Sequence, residues 1–245
     1  MNADKGPASF FNALSQAFGE TLASAGGQPE AIGRLCLQAF DSFDKNVAIQ
    51  AEDAPAVACQ GECAACCTLR VVATAPEVFL VARFIEVNAA SFEQRGMDIR
   101  SRIAELDADA GGLSEQQRMS LRRDCPFIEN GLCLAYRVRP LACRGHASFD
   151  REACEKAAQG ENVQAPVSSP HLMVRSLVQN AMMSALREAG LAWRPYELAG
   201  ALNLALSNPE ALDQWLAGGD PLAAAAVGDF DIDEAAKTFD DIAAA

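Results

Sequence analysis

The chain has 245 residues, half of them hydrophobic and 7% aromatic, with 20 Lys plus Arg against 33 Asp plus Glu and a net charge of −13. That apolar share excludes wholesale disorder. The acidic balance argues against a nucleic-acid binder or a protein held to anionic lipid, since both need clustered Lys and Arg.

No apolar run reaches the ~18 residues of a spanning helix, so no membrane segment is expected. The start, Met1-Asn2-Ala3-Asp4-Lys5-Gly6-Pro7, lacks the charged-then-apolar order of a signal peptide. A cytoplasmic location is the expectation. Thiols stay reduced there, so clustered cysteines point to metal or redox chemistry rather than to disulfides. The odd count of nine cysteines also fits a fully paired framework poorly.

The chain reads as helical almost throughout, because Ala, Leu, Glu, Gln and Arg dominate and β-branched runs are short. Helices are predicted over 8–24 and 29–48, parted by Gly26-Gly27-Gln28-Pro29. Residues 49–70 are irregular and carry the first cysteine group. Thr74-Ala75-Pro76-Glu77 is a capping box with an early proline, opening a helix to about 93. Ser114-Glu115-Gln116-Gln117 is a second box, opening a short helix to about 123.

Residues 124–148 are loop-like and carry the second cysteine group, and a helix over 150–158 carries Cys154. Gly160 to Pro170 is a polar connector. Helices follow near 171–189, 195–206 and 209–217, with Asn208-Pro209 and Asp220-Pro221 as punctuation. The tail from 229 has six acidic residues against Lys237, and forms one weak amphipathic helix or none.

Eight of the nine cysteines fall between 59 and 154. They run Cys59-x3-Cys63-x2-Cys66-Cys67, then Cys125-x7-Cys133-x9-Cys143, then Cys154. Close spacing on bent loops lets several sulfurs face one centre at small entropic cost. Thiolates select zinc, Cu(I) or iron–sulfur clusters over magnesium and calcium. Four sulfurs complete one zinc site or one cubane cluster, so eight fill two sites, or one site plus spare redox thiols. Vicinal Cys66 and Cys67 do not easily chelate one tetrahedral metal together, and suit two neighbouring metals or leave one thiol free. Cys36 sits on an apolar helix face and reads as a small buried hydrophobe.

Residues 118–151 hold seven arginines against three acidic residues, a basic island in an acidic chain. Guanidinium groups beside a thiolate site lower thiol pKa and donate to sulfur. That role is assigned to Arg139 and Arg144, which flank Pro140 and Cys143. Arg118, Arg122 and Arg123 read as a solvated helix face. Tyr136 is expected to pack its ring beside the site and donate its hydroxyl to backbone or sulfur. Phe127 reads as an apolar shield. Trp193 and Trp215 are expected in the core, and His171 exposed. Two histidines and no HExxH exclude a zincin.

These residues resemble a family. The first cysteine run, then Cys125-Pro126-Phe127, then Cys133-x2-Tyr136-x2-Arg139-Pro140-x2-Cys143-Arg144, and finally Cys154, are similar to the YkgJ-type cysteine-cluster family. The resemblance covers about residues 57–158 and implies a zinc- or iron-chelating domain. Related clusters occur in flagellin lysine methylases, where an iron–sulfur centre is implied, but no methyl-transfer residues carry over. Gly145-His146 stands where the family commonly has an aromatic. His146 is therefore an extra ligand, or else an exposed or supporting histidine.

The expected architecture is all-α: an irregular helical domain with two cysteine-bearing loops organised around a metal site. Its parts are a helical extension (1–50), a cysteine-cluster domain (51–160) and a C-terminal helical region with an acidic tail (161–245). The metal ligands are Cys59, Cys63, Cys66, Cys67, Cys125, Cys133, Cys143 and Cys154, with Arg139, Arg144 and Tyr136 beside the cofactor. Three functions stay open. The first is an iron–sulfur protein, with a 4Fe–4S cluster and a redox or protein- and peptide-directed role. The second is a structural zinc module for protein interaction. The third is metal delivery or sensing.

Overall fold

The computed structural model describes residues 6–59 and 62–244, with the backbone alone at Glu115 and Met119. The expectation about the first five residues lies outside the described residues, as do Gln60 and Gly61 inside the first cysteine group.

Helices α1 (Pro7–Ser24) and α2 (Glu30–Gln50) are amphipathic at the expected spacing. Phe11, Leu14, Phe18 and Leu22 of α1, and Ile32, Leu35, Cys36, Ala39, Phe40 and Phe43 of α2, are buried. Both pack on the long helix α9 (Ser169–Glu188), whose Val174, Val178, Ala181, Met182, Ala185 and Leu186 form the middle of the molecule. Helix α3 (Ala75–Val87) packs on α2 and on α10 (Leu198–Ser207), and α10 packs on α5 (Ile99–Ala110). Helices α6 (Glu115–Leu121), α8 (Arg151–Ala158) and α11 (Ala211–Leu216) follow the sequence reading closely. The all-α class holds, with small strand additions.

Three expectations need correction. The helix opened at Thr74 stops at Val87 and restarts as α4 (Ala89–Gln94). Asn88 leaves the helical backbone and its Nδ2 donates to the Phe84 carbonyl at 2.8 Å, which ends the ladder. Helix α5 went unpredicted: Asp98 caps it by accepting from the Ser101 N–H at 2.9 Å, and Ile99, Ile103, Leu106 and Ala110 are its buried stripe. Helix α10 starts at Leu198 rather than near 195, because strand β4 (Tyr196–Glu197) pairs antiparallel with β1 (Val72–Ala73).

Of the two alternatives for the acidic tail the helix holds: α12 (Ile232–Ala243) is well capped and packed. Asp231 caps it by accepting from the N–H groups of Asp233 and Glu234, both at 3.0 Å. Its Phe239 is 3% exposed and lies 5.7 Å from the Phe11 ring and 5.8 Å from the Trp193 indole. Arg187 holds Asp240 through two hydrogen bonds, 2.7 and 3.0 Å long.

One buried cluster runs from Phe11 to Phe239 and takes in Phe127, Ala135 and Leu141 of the cysteine segment. The loops that carry the cysteines therefore rest on the same core as the helices. Trp215 is fully buried and donates to the Ala192 carbonyl, and Trp193 is partly buried against the core.

Candidate metal centre

The cysteine loops are held at both ends by backbone hydrogen bonds. After α2 the chain runs to Ala58, whose N–H donates to the Ser148 carbonyl at 2.8 Å. The Ser148 N–H donates to Cys59 Sγ at 3.2 Å. Two residues later Asp150 caps α8 by accepting from the Ala153 N–H at 2.9 Å. Cys59 and the helix bearing Cys154 thus share an anchor, although 95 positions separate the two cysteines. Helix α8 packs on a 3-10 turn, Ala65–Thr68, that carries Cys66 and Cys67.

The second group is built onto that turn. The Cys125 N–H donates to the Cys67 carbonyl at 2.8 Å. Strands β2 (Ile128–Glu129) and β3 (Leu132–Cys133) then form a hairpin in which Ile128 pairs with Cys133. Its turn is Asn130-Gly131, with φ of 51° and 78°, the left-handed pair that a tight hairpin requires. Cys143 sits on α7 (Leu141–Gly145). This short helix is pinned by a buried carboxylate: Glu77 Oε1 accepts from the Leu141 N–H at 2.6 Å. The other oxygen of Glu77 accepts from the Thr74 N–H and hydroxyl at 2.8 and 2.9 Å, completing the capping box of α3. Burial pushes the Glu77 carboxyl above its usual range, and its hydrogen bonds to Leu141 and Thr74 oppose the shift. At its other end α7 lies against α9 so closely that a Cβ on Gly145 would meet Arg175 Cβ at 2.5 Å.

These ties link the two loops and α8, while Cys36 lies fully buried between helices. Cys59 feels the charges of Cys66, Cys63 and Cys154. Cys67 feels Cys66, Cys125 and Cys143, and Cys143 feels Cys125, Cys66 and Cys133. Cys36 instead feels Glu77 and Arg144. Burial pushes Cys125 up to about 11, and raises Cys143, Cys133 and Cys59 as well. Cys66 is the exception: a hydrogen bond from Cys67 lowers it to about 7, and Arg139 helps. Among the described residues, no three His, Cys, Asp or Glu side chains stand preassembled around a single point.

The arginines divide. Arg139 lowers the thiols of Cys66, Cys133 and Cys143. Its guanidinium carbon lies 3.7 Å from the Tyr136 ring centroid, and its Nε is buried without a hydrogen-bond partner. Tyr136 is 45% exposed and offers Arg139 its ring face; among the described residues its hydroxyl makes no hydrogen bond. Arg144 donates to the carbonyls of Arg139 and Arg137 at 3.1 and 2.9 Å, reaches Asp44 at 3.5 Å, and lies 4.0 Å over the Phe40 ring. It braces the loop that carries Arg139 against α2.

Arg118 was missed. It is not on a solvated face: it is 3% exposed, and its Nε and Nη1 are buried with no hydrogen-bond partner. Its charge lowers Cys125. The one available signal was its place on α6, three residues before Leu121, which puts both side chains on the inward face. Arg123 does sit in a salt bridge, 3.1 Å from Asp109. Phe127 is buried in the main core.

His146 is half-buried, and burial and then Arg175 hold its imidazole below the usual range. His171 is also half-buried rather than exposed. Its Nδ1 shares a 2.8 Å hydrogen bond with the Ser168 hydroxyl, and its ring lies edge-on to Phe43.

Residues 58–163 match the CxxCxxCC family model, described as "Putative zinc- or iron-chelating domain". The cysteine segment is a CxxCxxCC domain of the YkgJ-type family. It reaches slightly further at its C-terminal end than the residues that carry the resemblance in sequence. No curated protein and no solved structure matches the chain. The family description supports metal binding, zinc or iron. The donor set of the CxxCxxCC domain fits either: eight thiols, with buried guanidinium nitrogens of Arg118 and Arg139 that lack partners beside them. Among the described residues no helix is long and apolar enough to cross a membrane.

Proposed function

We propose that this protein is an iron–sulfur protein whose CxxCxxCC domain holds 4Fe–4S chemistry through Cys59, Cys63, Cys66, Cys67, Cys125, Cys133, Cys143 and Cys154. Its role is redox, or directed at a protein or peptide partner. One observation carries this reading. Arg118 is buried and Arg139 half-buried, the Nε of each is buried without a hydrogen-bond partner, and the two act on Cys125, Cys66, Cys133 and Cys143. A buried guanidinium without a partner is costly. A cluster of thiolates and sulfides would supply the missing negative charge and acceptors. In return, donors and low dielectric around a cluster set its potential.

Arg139 is assigned to donate to sulfur. Tyr136 supports its guanidinium from the ring face, and Arg144 acts through the loop by holding the Arg139 carbonyl. The acidic, helix-rich remainder of the chain offers no phosphate-binding turn and is read as the scaffold of the cluster. Zinc is the second reading, since closed four-thiolate zinc sites also carry negative charge. The test is anaerobic purification of the full chain with iron, zinc and acid-labile sulfide analysis. Equal iron and sulfide bear the reading out; zinc without sulfide replaces it with the structural module.

A further inference from the structure

Helix α12 is joined to the molecule differently from the helices it packs on. Helix α9 buries nine of its side chains, whereas α12 buries one, Phe239. Ala235 and Ile242 are half-buried against the core on the same side. Ala235, Phe239 and Ile242 stand at i, i+4 and i+7, the stripe by which an amphipathic helix lies in a groove. The groove is aromatic: Phe239 lies 5.7 Å from the Phe11 ring and 5.8 Å from the Trp193 indole. Its rim is polar. Arg187 donates to both carboxylate oxygens of Asp240 at 2.7 and 3.0 Å, and Asn12 Nδ2 donates to the Ile242 carbonyl at 3.2 Å. The outer face of α12, with Asp233, Glu234, Lys237 and Asp241, is exposed.

The stretch before α12 has the make-up of a hinge. The chain is pinned as far as Val227, whose N–H donates to the Pro195 carbonyl at 3.1 Å, and Ala226 bridges to Tyr196. Gly228 and Asp229 come next and are exposed, and Asp229 meets Arg70 only at 3.4 Å on the surface. Beyond them Phe230, 6.2 Å from Trp193, and Phe239 rest on the same indole. The segment from Phe230 onward therefore detaches from one aromatic surface, while the core behind it stays packed by α1 and α9.

We infer that the Phe11–Trp193 groove is a binding site for an acidic amphipathic helix, filled within one molecule by its own α12 and, when the Gly228-Asp229 hinge opens, by α12 of a second copy, so that two chains pair by exchanging this helix. The occupant is a second copy because its α12 carries what the groove selects: the apolar stripe, the ring of Phe239 and the Asp240 carboxylate for Arg187. Outside the hinge, exchange breaks no contact that it does not remake. The inference is independent of what the cysteines bind.

The experiment uses the full chain. Deleting Gly228 and Asp229 removes about 7 Å of reach, which hinders α12 from folding back on its own body more than from reaching a second copy. In sedimentation the deleted chain is expected to dimerise at least about tenfold more tightly than the wild type, and adding Phe239→Ala is expected to return it to monomer. A second measurement asks whether the groove takes the helix in trans. A labelled peptide of residues 229–244 is titrated onto the full-length Phe239→Ala chain and followed by anisotropy. It is expected to bind, about 10–100-fold more weakly when the peptide itself carries Phe239→Ala, and about two- to fivefold more weakly when Arg187→Ala is added to the chain. A deleted chain that keeps its helical circular dichroism and stays monomeric, or a dimer that survives Phe239→Ala, overturns the exchange. A peptide that binds no better than its Phe239→Ala form overturns the groove as a helix site, and decides the matter alone if the deleted chain does not fold.

Discussion

The helical scaffold and the cysteine segment are ordered by different physics. Helices α1, α2 and α9 bury continuous apolar stripes against one another, and burial of large side chains such as Phe11, Phe18, Leu35 and Leu186 is worth about 1.5–3 kcal/mol each. The two cysteine loops, residues 58–70 and 124–150, have few such stripes, although α3 and α5 between them are packed into the core. The backbone of these loops hangs on isolated hydrogen bonds at Ser148, Cys67 and Leu141, and the Arg139 Nε is buried there without a hydrogen-bond partner. The scaffold is stable by its own packing, and on the proposed metal reading the cysteine loops are ordered by what their thiols bind.

The largest break in this contrast is expected at Gly145, where the two regions touch. A Cβ there collides with the Arg175 stem, so Gly145→Ala should push α7 from α9 and displace Cys143. A loss of about 1–3 kcal/mol in denaturant unfolding, together with a loss of bound metal, is the expected outcome; unchanged metal content would detach α7 from the site.

Glu77 is the next contact between the regions. Glu77→Ala leaves the Leu141 and Thr74 N–H groups buried without acceptors, at a cost of about 2–4 kcal/mol. Glu77→Gln keeps an acceptor oxygen and should recover much of that loss. Equal damage from both variants would mean that the negative charge, not the hydrogen bonding, holds α7.

The arginines sharpen the comparison further. Arg139→Ala should weaken metal retention about 10–100-fold without unfolding the chain. Arg144→Ala should cost less metal affinity and more stability, because its partners are the carbonyls of Arg137 and Arg139, Asp44 and Phe40. Metal content and melting temperature measured on the same two variants separate these effects, and a reversed order would place Arg144 at the thiols.

A smaller effect is expected from pH. The Cys125 thiol stands near 11 without metal, so it is protonated at neutral pH and metal must displace that proton. Affinity should fall with acid, about tenfold per pH unit for each proton displaced. Metal titrations from pH 6 to pH 8 check this, and a flat profile would mean that the thiols are ionised before binding.

Much of the scaffold was legible in sequence, because apolar periodicity and capping boxes are local signals. Thr74–Glu77 and Ser114–Gln117 form the expected boxes. The stop at Asn88 was hidden, since one side-chain hydrogen bond to Phe84 decides it. Helix α5 had both a cap at Asp98 and a buried stripe, and its charged surface residues masked them. For the site, the spacing of the eight cysteines was plain. How the loops meet was not, because Cys59 is tied to the start of α8 through Ser148, a tertiary contact. The burial of Arg118 was equally hidden: a charged residue on a short helix reads as solvated until its inward face is known.

The most direct test is amide hydrogen exchange on the full chain, with metal bound and after chelation. Loss of metal is predicted to raise exchange in the cysteine loops, most of all at the N–H groups of Cys125, Ser148 and Leu141, while the buried turns of α1, α3, α5 and α9 keep their protection. Equal protection of the cysteine segment in both states would contradict the claim that metal orders it.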